Sequence, residues 1–465
     1  MKNNRIGCPS IIRNCYSYSS KTLVKWITPA RLKLYPPHIP ALVLVFWGIS
    51  QFLGTGLVDM SGHIIGPDYL EFFTAGNFYL NDQMNNLYNF YHQYLFQKSI
   101  LAPFESNVLY AYIYPPYDAV FFSLFSFTDY LTGLIIWWVF GLFLILLSVY
   151  LLRSEINELG KYTPLKIYCI CFLFFPTLAW FIYGQNTPVS LILYTIIFVM
   201  LRRKNDFTAG AALGLLSFKP QLAIALSFML LIKGRWRALI GGFFSASIII
   251  AAGFIYLPKS MHDYLNILPY LTNLLRLNYD VDILTKVFGF GPELSLPYWG
   301  IHSFHGFSIL LLDNIWRKGA DILFIILFIY GISQTYFIWF HSKWNPATKT
   351  WDLGMAATFA LGLLISPQLF TYDLMLLLLP FAIVWSYYSE GTNGKPLDGG
   401  SLLFWSALLY IFCFIGGYIT FAQLKFFSLL GLPQFAVQFS TLVIIGWVYA
   451  VINEGRTKKE LFNAG

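Results

Sequence analysis

LTGLIIWWVFGLFLILLSVYLL, running from Leu131 to Leu152, decides the class of this chain. It carries no charge over slightly more than the ~20 residues that an α-helix needs to cross the hydrocarbon core of a bilayer. The run from Ala238 to Leu257 repeats the pattern. Outward from these two runs the composition agrees: 57% of the 465 residues are hydrophobic and 11% are charged, where soluble domains carry about 25% charged residues. A water-soluble globule is excluded. Barrel strands would alternate apolar and polar positions over about ten residues, and these runs do not alternate. The reading is an all-α polytopic membrane protein.

Ten full crossings are expected, at about 39–57, 131–152, 165–183, 187–202, 237–257, 320–340, 353–371, 374–388, 401–420 and 436–452. Between them, Lys219-Pro220-Gln221 splits an apolar stretch into two arms, 207–218 and 222–232, which predicts a pair of half-helices. The piece 114–127 is too short to cross and reads as a re-entrant or interfacial helix. The first external loop, 58–130, is long, and its segments 69–79 and 87–100 mix aromatic and polar positions in the manner of amphipathic helices lying on the membrane surface. The layout is then a cytoplasmic basic segment at 1–38, one transmembrane domain at 39–455 with external loops 58–130 and 258–319, and a cytoplasmic tail at 456–465.

The net charge of +8 fits this layout. Assigned to these segments, 22 Lys and Arg and 8 Asp and Glu fall on the cytoplasmic side, against 8 and 14 on the external side. The basic excess therefore orients the chain in its membrane, with both termini cytoplasmic, and is not a nucleic-acid footprint. Cys8, Cys15, Cys169, Cys171 and Cys413 show no metal-ligand spacing, so neither a zinc site nor a structural disulfide is expected. No cofactor is called for.

Polar groups at membrane depth are costly and are functional candidates. Asp68, close behind the first span, can act as a general base, although Asp68 with Glu71 three residues on also has the spacing of a capping box. Tyr112-Ile113-Tyr114-Pro115-Pro116 stops one element and starts another. Gly184-Gln185-Asn186-Thr187-Pro188 offers the Gln185 and Asn186 amides to sugar hydroxyls, or simply turns a helical hairpin. Lys219, beside Gln221 and the backbone that Pro220 frees, needs an anion or a carboxylate as partner; Asp68 and Asp373 are the carboxylates in question. In the later loop stand Arg276, His302 and His305. Tyr372-Asp373 breaks the helical pattern, and Asp373 is placed to cap the next span.

Taken in order, these residues resemble the membrane-embedded glycosyltransferases of the GT-C fold, in particular glycosyltransferase family 87. The resemblance rests on Pro67-Asp68-Tyr69, Leu87-Tyr88, Tyr114-Pro115-Pro116, Gly184-Gln185-Asn186, Ala209-Gly210 with Leu213-Gly214 before Lys219-Pro220, and Ser366-Pro367 before Tyr372-Asp373. It implies an inverting transfer of a sugar, a mannose-like hexose, from a polyprenyl-phosphate donor to a hydroxyl of a lipid or glycan acceptor on the external face of a bacterial inner membrane. Asp68 would be the base and His305 a second catalytic residue, matched in preference to His302. Lys219, Gln221, Gln185, Asn186, Tyr114, Arg276, Tyr372 and Asp373 would bind donor or acceptor, with Lys219 or Arg276 offsetting the charge of the departing lipid phosphate. No paired acid stands obviously beside Asp68, and no Asp-x-Asp stands in an expected external loop except Asp280-Val281-Asp282. A transporter or flippase of lipid-linked saccharides, or a polysaccharide polymerase or ligase, is the alternative.

Overall fold

The computed structural model describes residues 29–274, 276, 293–294, 297–389 and 400–462. Most of the basic N-terminal segment and the Asp280-Val281-Asp282 pair lie outside these residues.

The helices in chain order are α1, Pro29–Phe52; α2, Pro67–Leu80; α3, Phe90–Leu101; α4, Pro116–Ser123; and α5, Tyr130–Glu155, which contains the apolar run from Leu131 to Leu152. Asp129 caps α5 by accepting from the Thr132 N–H at 3.1 Å. There follow α6, Pro164–Cys171; α7, Phe175–Tyr183; α8, Thr187–Arg202; α9, Asp206–Leu215; α10, Ile224–Ile232; α11, Trp236–Tyr256; and α12, Pro258–Leu274. The later part holds α13, Phe304–Leu312; α14, Arg317–Phe340; α15, Lys349–Ile365; α16, Leu378–Ser389; α17, Gly400–Leu429; and α18, Phe439–Phe462.

By length and composition, four helices qualify as full crossings: α5, α11, α14 and Ser401–Leu429 of α17. The segment expected as one crossing at 165–183 is instead α6 and α7, bent by 76° at the break between them, and counting this pair as one span makes five. Other expected spans fall on apolar helices of 10–17 residues, among them His38–Phe52, Thr187–Arg202 and Phe439–Gly455. These lie below the ~20-residue crossing length.

Helices with opposite surroundings define inside and outside. α15 is buried at every position from Leu353 to Ile365 and forms the axis of the core. In contrast, α11 exposes Trp236, Ile240, Phe243, Phe244, Ile248 and Ile255, an apolar face suited to lipid and unsuited to water. α9 and α11 pack at backbone distance through glycines. A Cβ on Gly210 would lie 1.8 Å from the Ala238 carbonyl oxygen, so the Ala209-Gly210 and Leu213-Gly214 positions are a packing requirement of this pair.

The loop expected at 58–130 is a packed subdomain in which α2 is largely buried, while α3 exposes Tyr91 and Leu95 on its outer face. In α2 the side chains of Tyr69, Leu70, Phe72, Phe73 and Phe78 are buried, because aromatics on nearly every side leave no polar face for water. Phe72 stacks on Phe122 of α4, ring centroids 4.1 Å apart. On α3, Gln93 and Gln97 stand one turn apart and serve the extended chain beside them as a neighbouring strand would: their Oε1 atoms accept from the Tyr112 and Tyr110 N–H groups at 2.9 and 3.1 Å. This fixes the approach to Tyr114-Pro115-Pro116. The eight-residue α4 starts at Pro116, where a missing N–H costs nothing, and it is too short to cross.

Candidate active site

Segments distant in sequence converge on one small cleft of about 50 Å³, lined by Asp68, Glu71, Tyr110, Tyr114, Gln185, Lys219, Gln221, Phe370, Tyr372 and Asp373 among others.

Asp68 enters from the first turn of α2. The residue before that helix is Gly66, in the left-handed conformation (φ 64°), and no side chain caps the helix. The capping-box reading of Asp68 and Glu71 therefore fails: Pro67 at the first helical position moves Asp68 one place past the cap, and its carboxylate turns into the cleft. There Asp68 Oδ2 accepts from Gln185 Nε2 at 3.2 Å. Burial pushes the Asp68 carboxyl up to about 7, opposed by hydrogen bonds from Gln185 and Tyr372. Glu71 is raised well above the ordinary carboxylate range by burial and then by the charge of Asp68.

Gln185 sits on a tight turn after α7. Gly184 is left-handed (φ 75°), and a Cβ there would lie 2.7 Å from Tyr69 Cβ. Two indoles hold the turn: Trp137 Nε1 donates to the Gly184 carbonyl at 2.9 Å and Trp180 Nε1 to the Gln185 carbonyl at 2.6 Å. Asn186, next in sequence, does not line the cleft; its side-chain amide is buried without a hydrogen-bond partner among the described residues.

Lys219 stands at the break that the sequence predicts. The arms are α9 with a 3₁₀ turn, Leu216–Phe218, and a second 3₁₀ turn, Pro220–Ala223, leading into α10. Tyr117 and Tyr194 brace the break by donating to the Ser217 and Leu222 carbonyls, both at 2.8 Å. Lys219 Nζ donates to Asp373 Oδ1 at 2.9 Å, with 6% and 7% of the two side chains exposed. Of the two carboxylate partners expected for this lysine, Asp373 is the direct one. Asp373 also accepts from Thr187 Oγ1 at 3.1 Å and from the Phe370 N–H at 3.4 Å, which makes it a cap of the Thr371–Leu377 turn as well as the counter-ion. The Tyr114 ring lies 5.9 Å from Lys219 Nζ.

Arg276 and His305 are not brought to the cleft. Arg276 pairs with Asp313 at 2.6 Å and with Asp321, so its charge is spent near the start of α14. His305, on the first turn of α13, packs against Phe324, and burial, helped by the Arg276 cation, pushes it down to about 4. His302 approaches the cleft elements more closely, its Nε2 lying 3.0 Å from Thr371 Oγ1, the residue before Tyr372. Burial pushes it down to about 3. Neither histidine lines the cleft.

Glu71, Tyr110 and Phe370 are lining residues that the sequence reading did not select. The i, i+3 spacing of Asp68 and Glu71 on one helix was the available signal for Glu71. Asp118, on α4, was missed altogether; it is buried, its Oδ2 lacks a hydrogen-bond partner among the described residues, and burial pushes it up to about 7 against the pull of Lys219. Among the described residues, no three His, Cys, Asp or Glu side chains gather closely enough to share a metal ion.

Apolar helices that enclose a charged cleft at one end of the bundle define a polytopic membrane protein built around a polar site. The model of glycosyltransferase family 87 matches residues 112–367, more than half of the chain. The chain belongs to that family and is a glycosyltransferase, as the motif order indicated. Comparison with curated proteins and with solved structures returned no match. The matched part contains Tyr114, Gln185, Lys219 and Gln221, while Asp68, Glu71, Tyr372 and Asp373 lie outside it and join the site only through the fold.

Proposed function

We propose that this glycosyltransferase moves a hexose, mannose-like, from a polyprenyl-phosphate donor to a hydroxyl of a lipid or glycan acceptor, with inversion and with Asp68 as general base. The observation that carries the reading is Asp68 itself: a carboxylate that lines the cleft, is held by an amide, and has a proton affinity raised to the neutral range. A base with a pKa near the working pH combines a useful ionised fraction with a useful driving force. The acceptor hydroxyl gives its proton to Asp68 as its oxygen bonds to the anomeric carbon, and the bond from that carbon to the phosphate oxygen breaks on the opposite face.

The lipid phosphate then leaves with both charges and needs a cation more than a proton. Lys219 is the cation in the cleft. One of its N–H groups goes to Asp373, and an ammonium carries three, so it can meet a phosphate without giving up that partner. Tyr114, Gln221 and Tyr372 line the same space and offer hydroxyl and amide groups to the sugar.

A GT-C arrangement, with about ten crossings, both termini cytoplasmic, and the cleft opening on the external face of a bacterial inner membrane, fits the segregation of Lys and Arg along the chain. Purified protein incubated with radiolabelled polyprenyl-phosphate mannose and a membrane lipid extract tests the reaction. Label should pass to an extractable lipid or glycan with wild type and not with Asp68→Asn. Absence of transfer from every polyprenyl-phosphate hexose offered would end the donor assignment, and near-normal turnover in Asp68→Asn would end that of the base.

A further inference from the structure

The Gln185 carboxamide can be oriented in one way only. Its Oε1 lies 2.7 Å from the Asn186 N–H and 3.4 Å from the Tyr114 hydroxyl. A flipped amide would turn its own hydrogens toward that N–H, where no acceptor exists. Nε2 must therefore face the cleft, and it does so between Asp68 Oδ2 at 3.2 Å and Tyr372 Oη at 3.3 Å. Tyr372 in turn hydrogen-bonds to Asp68, and Glu71 faces the same amide. The backbone below is equally fixed, by Trp137 and Trp180. Gln185 is 1% exposed, so it has little surface with which to grip a sugar.

We propose that Gln185 is a positioning residue that holds the Asp68 carboxylate and the Tyr372 hydroxyl in one arrangement and favours the ionised form of Asp68 over that of its neighbour Glu71. It acts through Asp68 and not through a direct contact with donor or acceptor. The proposal rests on the reading of Asp68 as the base. The surroundings make such a device necessary. Asp68 is faced by Glu71 on its own helix, Tyr114 just before α4, Tyr130 on α5, Tyr183 on α7, Lys219 at the break, and Tyr372 and Asp373 after α15, while Asp118 on α4 faces Glu71. Lys219 is already neutralised by Asp373. The Gln185 amide faces both carboxyls, but it makes its 3.2 Å hydrogen bond to Asp68 and holds Tyr372, the further donor to Asp68, beside it; a hydrogen bond to the charged form lowers the cost of ionisation, so the two donors together favour Asp68.

The test reads the proton itself, on the full-length protein in detergent. Infrared titration follows the carboxylic C=O bands, and the Asp68 band is assigned by its loss in Asp68→Asn. Gln185→Met, which keeps the length of the side chain and removes the donor, should lower the Asp68 ionisation constant by roughly 10-fold, moving its midpoint up about one pH unit. Gln185→Glu should move it further, because a carboxylate replaces the amide. Tyr114→Phe, which only loosens the amide, should give a smaller shift in the same direction and decides the matter if the Gln185 variants do not fold. In the transfer assay, kcat should fall and the acid limb of the rate profile should rise with the infrared midpoint, at nearly constant KM.

An unchanged Asp68 midpoint in Gln185→Met overturns the proposal, because a merely structural glutamine would lower stability without moving a titration. A raised KM with unchanged kcat overturns it as well, in favour of direct ligand contact. Failure of the base reading looks different: Asp68→Asn would then turn over normally, whatever the infrared band does.

Discussion

The two ends of the bundle use the same ion-pair chemistry under different conditions. α8 spans about 24 Å from one to the other. At its C-terminal end Arg202 pairs with Asp352 at 2.6 Å, Arg203 with Glu155 at 2.6 Å and, nearby, Arg235 with Asp206. Each acid there has its own arginine, and the arginine side chains are 22–46% exposed. At the N-terminal end of α8, the cleft lining holds, among the described residues, three acids, Asp68, Glu71 and Asp373, against Lys219 alone, and the Lys219–Asp373 pair is nearly closed to solvent. Matched, half-exposed pairs hold helices together cheaply. The unmatched set leaves Asp68 with a proton available near neutral pH, which a structural ion-pair cluster does not require and a proton-transfer site does.

The largest effect that would test this contrast is on turnover. Asp68→Asn is expected to lower kcat by about 10²–10⁴, the range for loss of a general base, with donor affinity and expression close to wild type because the change is nearly isosteric. Asp352→Asn at the far end should leave kcat near wild type. Similar losses in both would erase the distinction between the two ends.

Stability comes next. Lys219→Met strands Asp373 in a buried setting and should cost about 3–5 kcal/mol, whereas Arg202→Met should cost about 1 kcal/mol or less. Melting temperatures in one detergent read both. The double variant Lys219→Met with Asp373→Asn should recover most of the lost stability and none of the activity. Recovery of activity as well would show that Lys219 serves only its ion pair.

Dependence on pH sharpens the same comparison. Asp68 is active when ionised, and its carboxyl is pushed up to about 7; the rate should therefore rise with pH through about 7 and fall roughly tenfold for each unit below it. The neighbouring charge that raises Asp68 is Asp373, so Asp373→Asn should shift the acid limb to lower pH. A limb that stays in place would show that the two carboxyls do not sense each other. The smallest effects are expected from the histidines. His302→Ala should lower the melting temperature more than His305→Ala, since it removes the Thr371 contact, and neither should move the pH profile.

Much of this was legible in sequence. Leu131 to Leu152 announced a membrane helix, the break at Lys219-Pro220-Gln221 is where the sequence put it, and Asp68, Gln185, Lys219 and Asp373 were all singled out by polarity in apolar surroundings. These are local properties, set by hydropathy and by what proline does to a helix. The buried state of α2, the bend between α6 and α7, the choice of Asp373 over Asp68 as partner of Lys219, and the distance of both histidines from the cleft lining were not legible. Each depends on which surface another segment covers, and segments as far apart as Gln185 and Tyr372 meet only after folding. The sequence by itself determined that the chain is a helical membrane protein with scarce, costly polar groups. Only the tertiary structure decided which of those groups share a cleft, because a polar residue in an apolar stretch states that it needs a partner, and packing alone says where that partner stands.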